Sequence, residues 1–147
     1  MLRLVFAFLL WFQSLSFSYE INFSCFQRAG ELYQINPYLL YTIAKVESGL
    51  NPGAIGRNKN GTIDIGLMQI NSSWIPILRK YGINGYSLFD PCQNILVGAW
   101  ILRQCIYAYG ETWQAIDCYN KGKKAKHNSQ YVWKIYKKYF ELVFDSQ

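Results

Sequence analysis

The sequence predicts a mainly α, single-domain protein, and three observations carry that prediction. Two punctuating pairs, Asn36-Pro37 and Asp90-Pro91, each open a run of apolar residues at helical spacing. The 147 residues, 51% hydrophobic and 18% aromatic, suffice for one buried core and not for two. Neither an internal repeat, a low-complexity segment nor a flexible linker divides the chain.

The elements follow in order. Residues 1–18 read as a cleaved secretory signal, with Arg3 ahead of the apolar run Leu4–Phe12 and small residues at Ser16 and Ser18. That run is well short of the roughly 20 residues needed to span a bilayer, so the domain is expected to occupy 19–147 without a stable membrane span. Asn36 caps a helix with Pro37 at its first position, and Gly49 stops it after Ser48. Between this helix and "GLMQI", the stretch "NPGAIGRNKNGTID" contains the turn dipeptide Asn60-Gly61, which fits a small β-hairpin or a long ordered loop equally well. Asp90, with Gln93 in capping-box position, opens a long helix to about Gly110. Thr112 caps a shorter one to about Asn120, and Ser129 starts the last, with Val132, Ile135, Tyr136, Tyr139 and Val143 expected on one face.

Four cysteines in an exported chain point to two disulfides, and the absence of C-x-x-C spacing argues against zinc. If Cys92 and Cys105 share the long helix, their separation of roughly 20 Å forbids a bond between them. Two pairings remain, Cys25–Cys92 with Cys105–Cys118, or Cys25–Cys105 with Cys92–Cys118. The first is preferred, its loops contributing roughly 4 and 3 kcal/mol in the chain-entropy description.

The formal charge of +6, or +5 without Arg3, suits an anionic partner: a wall polymer, a lipid surface or nucleic acid. The basic cluster "KGKKAKH", Lys121–His127, reads as a solvated loop, and its histidine, the single one in the chain, is assigned no chemistry.

One position does not fit a purely structural reading. Leu40, Ile43 and Ala44 form an i, i+3, i+4 apolar stripe whose i+7 position is Glu47. A carboxyl group there is partly desolvated and sits at the negative end of the helix dipole, and both effects favour its protonated form. Such a group can act as a general acid. The competing reading is an exposed glutamate at a helix end.

The segments "ESGLNP", "DIGLMQINSSW", "DPCQNILVGAW" and "CYNKG" occur in an order and at separations that resemble the soluble lytic transglycosylases, lysozyme-like enzymes that cut peptidoglycan. The resemblance is greatest to the small specialised members that accompany type III and type IV secretion, conjugation and pilus systems. It implies a lysozyme-like fold, a periplasmic location and the glycan strands of peptidoglycan as substrate. A secretion, conjugation or pilus component is the implied partner, with no nucleic acid, no metal and no organic cofactor. It further implies that Glu47 is the catalytic acid and base, with Ser48 beside it, Gly66 at a close backbone approach, and Met68 and Gln69 at the glycan cleft. Tyr119 and Asn120 match a motif whose tyrosine hydroxyl reaches the catalytic glutamate. Cys118 and Lys121 replace the two alanines of that motif.

Asp64, 17 residues beyond Glu47 and directly before "GLMQI", has two readings. It either shares the cleft as a second carboxylate, as in a lysozyme, or closes a turn or caps a helix. Two rival functions accompany the transglycosylase reading: a hydrolase of the same bond, and a non-catalytic wall-binding component.

Overall fold

The computed structural model describes residues 21–145, so the expected signal at 1–18 lies outside the described residues. Six α-helices and a small antiparallel sheet make a mainly α, lysozyme-like domain: α1 (Ser24–Tyr33), α2 (Pro37–Ser48), β1 (Ile55–Arg57), β2 (Ile63–Ile65), β3 (Ile70–Asn71), α3 (Ile75–Leu78), α4 (Pro91–Tyr109), α5 (Trp113–Lys121) and α6 (Gln130–Phe144).

The caps read from the sequence do their expected work. Asn36 accepts from the Tyr38 amide at 2.9 Å, and Asp90 from that of Gln93 at 2.7 Å. The side chains of Thr112 and Ser129 likewise hold the first turns of α5 and α6. Each satisfies an amide that helix geometry leaves without a partner.

The core forms where α1 and α4, α2 and α6, and α4 and α5 pack together. Phe26, Leu40, Ile43, Leu67, Leu88, Ile95, Leu102 and Ile135 are fully enclosed in it. Disulfides join Cys25 of α1 to Cys92 at the start of α4, and Cys105 of α4 to Cys118 of α5, with Cα separations of 5.2 and 5.7 Å. Both clasp neighbours to α4, the longest helix of the described residues.

The stretch after α2 is a hairpin with a third strand added. β1 and β2 pair antiparallel with Gly56 opposite Asp64, and β3 joins β2 with Asn71 opposite Asp64. Asp64 therefore occupies the middle of the central strand, and neither closes a turn nor caps a helix.

On α6 the buried sector lies earlier than the apolar pattern suggests. Tyr131, Val132 and Ile135 are enclosed, whereas Tyr136, expected on the inner face, is 36% exposed. At 100° per residue the sector toward the core centres near Ile135, which brings Tyr131 inward and turns Tyr136 toward its edge.

Candidate active site

Glu47 stands in the last turn of α2, and beside it a cleft of about 720 Å³ opens between the sheet, α4 and α5. The same cleft is lined by Asp64 and Gln69 from the sheet region, and by Tyr119 and Asn120 from α5. The apolar stripe that leads to Glu47 is buried at Leu40, Ile43 and Ala44, and the glutamate itself is half-buried. That placement pushes its carboxyl up from 4.5 to about 7. Burial is the main cause; the charge of Asp64 adds to it, while a hydrogen bond from Tyr131 and the charge of Lys134 pull the other way.

The hydrogen bond to Glu47 comes from a residue that the motifs did not identify. The Tyr131 hydroxyl donates to Glu47 Oε1 at 2.6 Å from the first turn of α6. Tyr119, expected to reach the glutamate, instead donates its hydroxyl to the Met68 carbonyl at 2.7 Å. Its phenol remains close enough to feel the charge of Glu47, and burial raises both tyrosines well above their usual value. Both therefore stay protonated donors near neutral pH. One sequence signal for Tyr131 exists: it shares a helix face with Val132 and Ile135, and a phenol buried there needs a partner.

Of the other residues that the resemblance singled out, Gln69 and Asn120 line the cleft and Ser48, Gly66 and Met68 do not. Ser48 is occupied in tying α2 to the following loop, since its hydroxyl donates to the Leu67 carbonyl at 2.6 Å and accepts from the Asn51 amide at 3.1 Å. Gly66 is buried with φ +75°, and a Cβ there would come within 2.4 Å of Asn94 Nδ2 and 2.6 Å of the Leu88 carbonyl oxygen. The close approach is thus to the protein's own interior rather than to a glycan. Met68 is fully enclosed, its sulfur against Gly98 of α4, where an added Cβ would meet it at 2.5 Å. It anchors the loop that carries Gln69.

Asn94 holds that loop from below and was not singled out in the sequence. Fully buried on α4, its amide donates to the Ile65 and Leu88 carbonyls at 2.9 and 2.8 Å and accepts from the Met68 amide at 2.7 Å. A polar residue amid the apolar run of α4 was the available signal. Gln69 follows with φ +53°, a conformation unusual for a side-chain-bearing residue, and its amide donates to the Gly66 carbonyl at 3.0 Å.

Asp64 reaches the cleft from β2, its two oxygens held by two amides. Asn58 Nδ2 donates to Oδ2 at 3.0 Å, and Asn71 Nδ2 donates to Oδ1 at 2.8 Å. Fixed by its strand and by these donors, the carboxylate is aimed across the cleft that Glu47 also lines.

The two departures from the alanine-containing motif take no part in the hydrogen bonds to Glu47 and Asp64. Cys118 is bonded to Cys105, and Lys121 reaches back one turn to Asp117 at 3.6 Å. Asp117 is fully buried and also accepts from the Ser129 hydroxyl and, at 2.7 Å, from the Lys126 amide. It thereby fixes the turn that delivers α6 and Tyr131. Among the described residues no group of three or more His, Cys, Asp or Glu side chains could hold a metal ion, and no helix is long and apolar enough to cross a membrane.

What this geometry offers chemically is a carboxyl group raised to about 7, in an open cleft that a second carboxyl group also lines. The chain matches known proteins over nearly its whole length. Residues 24–140 match the transglycosylase SLT domain. The protein named Invasion protein IagB of Salmonella typhimurium strain SL1344 is 38% identical over 141 residues, which cover 93% of this chain and 86% of that protein. Protein IpgF of Shigella flexneri is 37% identical over 127 residues, 84% of each chain. A protein named Peptidoglycan-binding-like protein, from Escherichia coli O157:H7, is 41% identical over 130 residues, covering 81% of this chain and 78% of that one.

Proposed function

The chain belongs to the transglycosylase SLT domain family, and from that premise we propose that it cleaves the β-1,4 bond between N-acetylmuramic acid and N-acetylglucosamine in peptidoglycan, leaving a 1,6-anhydro end. The observation that carries this reading is Glu47, a cleft carboxyl raised to about 7 by burial. It is a general acid whose proton is available near neutral pH.

In the proposed reaction Glu47 donates its proton to the bridging oxygen as the bond from C1 breaks, and the leaving sugar departs as an alcohol. The acetamido oxygen of the muramic acid closes on C1 to give an oxazolinium ion. The Glu47 carboxylate then takes the proton of the C6 hydroxyl, and O6 attacks C1 as the acetamido oxygen leaves. The anhydro ring closes and Glu47 is protonated again, with no water consumed. The Tyr131 hydroxyl holds the carboxylate in place between the two steps. Asp64 supplies negative charge facing the oxocarbenium-like transition state, which lowers its energy without a covalent bond.

Asp64 also supports a second reading, in which water reaches the same intermediate and the bond is hydrolysed. Incubating the purified protein with peptidoglycan and weighing the released fragments separates the readings. The anhydro product is lighter than the hydrolytic one by one water. Anhydro fragments are expected; reducing ends alone would establish the hydrolase, and release of nothing would favour a binding component.

The site of action follows from the substrate. A chain that is exported through a cleaved signal at 1–18 reaches peptidoglycan in the periplasm, and residues matching the specialised members suggest local opening of the wall for an envelope-spanning machine. The name of the Salmonella relative, an invasion protein, is consistent with that use.

A further inference from the structure

Helix α6 has two aromatic faces with different fates. Tyr131 is buried beside the cleft, yet Trp133 and Phe144 are each 58% exposed, and Tyr136 and Phe140 each 36%. The exposed rings touch in series: Trp133 and Tyr136 at 5.6 Å, Tyr136 and Phe140 at 4.4 Å, Phe140 and Phe144 at 5.3 Å between centroids. Trp113, from the first turn of α5, adds to the row at 5.5 Å from Tyr136. From Trp133 to Phe144 the ridge runs about 16 Å along the helix. Single exposed aromatics, such as Tyr86 of this chain, require no explanation; a contiguous row does.

Within α6 the charges beside the row are mainly positive, with Asp145 after Phe144 and Glu111 before Trp113 as acidic residues at its ends. Lys137 is exposed four residues after Trp133 and three before Phe140, on the same face, and Lys134 is exposed next to Trp133. The one acidic residue within α6, Glu141, is paired with Lys138 at 2.5 Å. A second copy of the chain would bring these lysines against their equivalents. A ridge about 16 Å long and about 10 Å wide is also well short of the roughly 800 Å² that each partner of a stable protein complex buries. A planar anionic surface meets both conditions, because it accepts a convex ridge without a matching groove and complements the lysines. Trp, Tyr and Phe interleaved with Lys is the composition that rests at lipid headgroup level.

We infer that the aromatic ridge of α6 seats the protein on an anionic lipid surface, with Trp133, Phe140 and Phe144 at headgroup depth and Lys137 against the phosphates. Nine residues separate Tyr131 from Phe140, which puts them about 180° apart around the helix. The cleft carboxylate that Tyr131 holds therefore faces away from the bound surface, and the cleft stays open to glycan.

The test is sedimentation of the protein, as expressing cells export it, with vesicles of phosphatidylcholine alone or with about one-third phosphatidylglycerol. Binding to the anionic vesicles is expected, with at least fivefold weaker binding to the neutral ones. Lys137→Gln should weaken anionic binding about fivefold. Trp133→Ser combined with Phe140→Ser should weaken it at least tenfold, with glycan cleavage in solution unchanged, whereas Tyr86→Ser should bind as the parent does. The inference is overturned by failure to bind either vesicle, by equal binding to both, or by a ridge variant that binds like the parent. It is also overturned by a lipid-free dimer that the ridge variant dissociates, or by an acidic peptide that binds the ridge when vesicles do not.

Discussion

Two carboxylates line one cleft, and their supports differ. Glu47 ends a helix whose inner face is apolar, and it receives a single hydrogen bond from a neutral phenol. Asp64 lies mid-strand, each of its oxygens met by an asparagine amide. Burial with one donor leaves a group that exchanges a proton near pH 7; amide donors on both oxygens leave one that is held still. The difference supports the proposed division of labour, proton transfer at Glu47 and electrostatic support from Asp64, which environment alone can impose on two like groups.

The largest effect should come from Glu47→Gln, which keeps volume and the bond from Tyr131 but removes the transferable proton. Turnover is expected to fall by about 1000-fold or more, equivalent to at least about 4 kcal/mol in the barrier, with the circular dichroism spectrum unchanged. Asp64→Asn should lower turnover by roughly 10 to 1000-fold. A loss of under about twofold would remove Asp64 from the mechanism. The same variant should move the pH limb of Glu47 downward, because the Asp64 charge is one of the causes that raise it.

Stability offers a check independent of activity. The folded-state value of Glu47 lies above its unfolded value of 4.5, so its contribution is fully present below about pH 4.5 and is lost as pH rises to about 7. The loss is on the order of 3 kcal/mol. Denaturant titrations should show the parent weakening across that window relative to Glu47→Gln, and parallel curves would contradict the buried carboxyl. The smallest effect is expected of Tyr131→Phe, about tenfold in turnover, with the Glu47 limb moving upward because a donor to the charged form is gone. Opposite displacements in Asp64→Asn and Tyr131→Phe would sharpen the comparison; displacements of the same sign would break it.

Much of this was legible in the sequence where local chemistry decides. Asn36-Pro37 and Asp90-Pro91 start helices because cap and proline act within a few residues. The i+7 position of Glu47 followed from helical period alone. What depends on contacts distant in sequence was not legible. Met68 is four residues from Asp64, yet its side chain turns into the core because α4 offers Gly98 as a space for it. Ser48 is spent on the Leu67 carbonyl 19 residues away, and Tyr131 meets Glu47 across 84. Motif position indicated that Tyr119 would serve the glutamate; the packing of α6 on α2 gives that contact to Tyr131 instead, and Tyr119 bonds the Met68 carbonyl.

The central claim is that burial at the end of α2 makes Glu47 the acid of the reaction near neutral pH. The pH dependence of kcat/KM on soluble glycan strands tests it most directly. The expected profile declines with rising pH through a limb near 7, with Tyr131→Phe displaced above it and Asp64→Asn below. A limb near 4.5, or a flat profile from about pH 5 to 9, would contradict the claim.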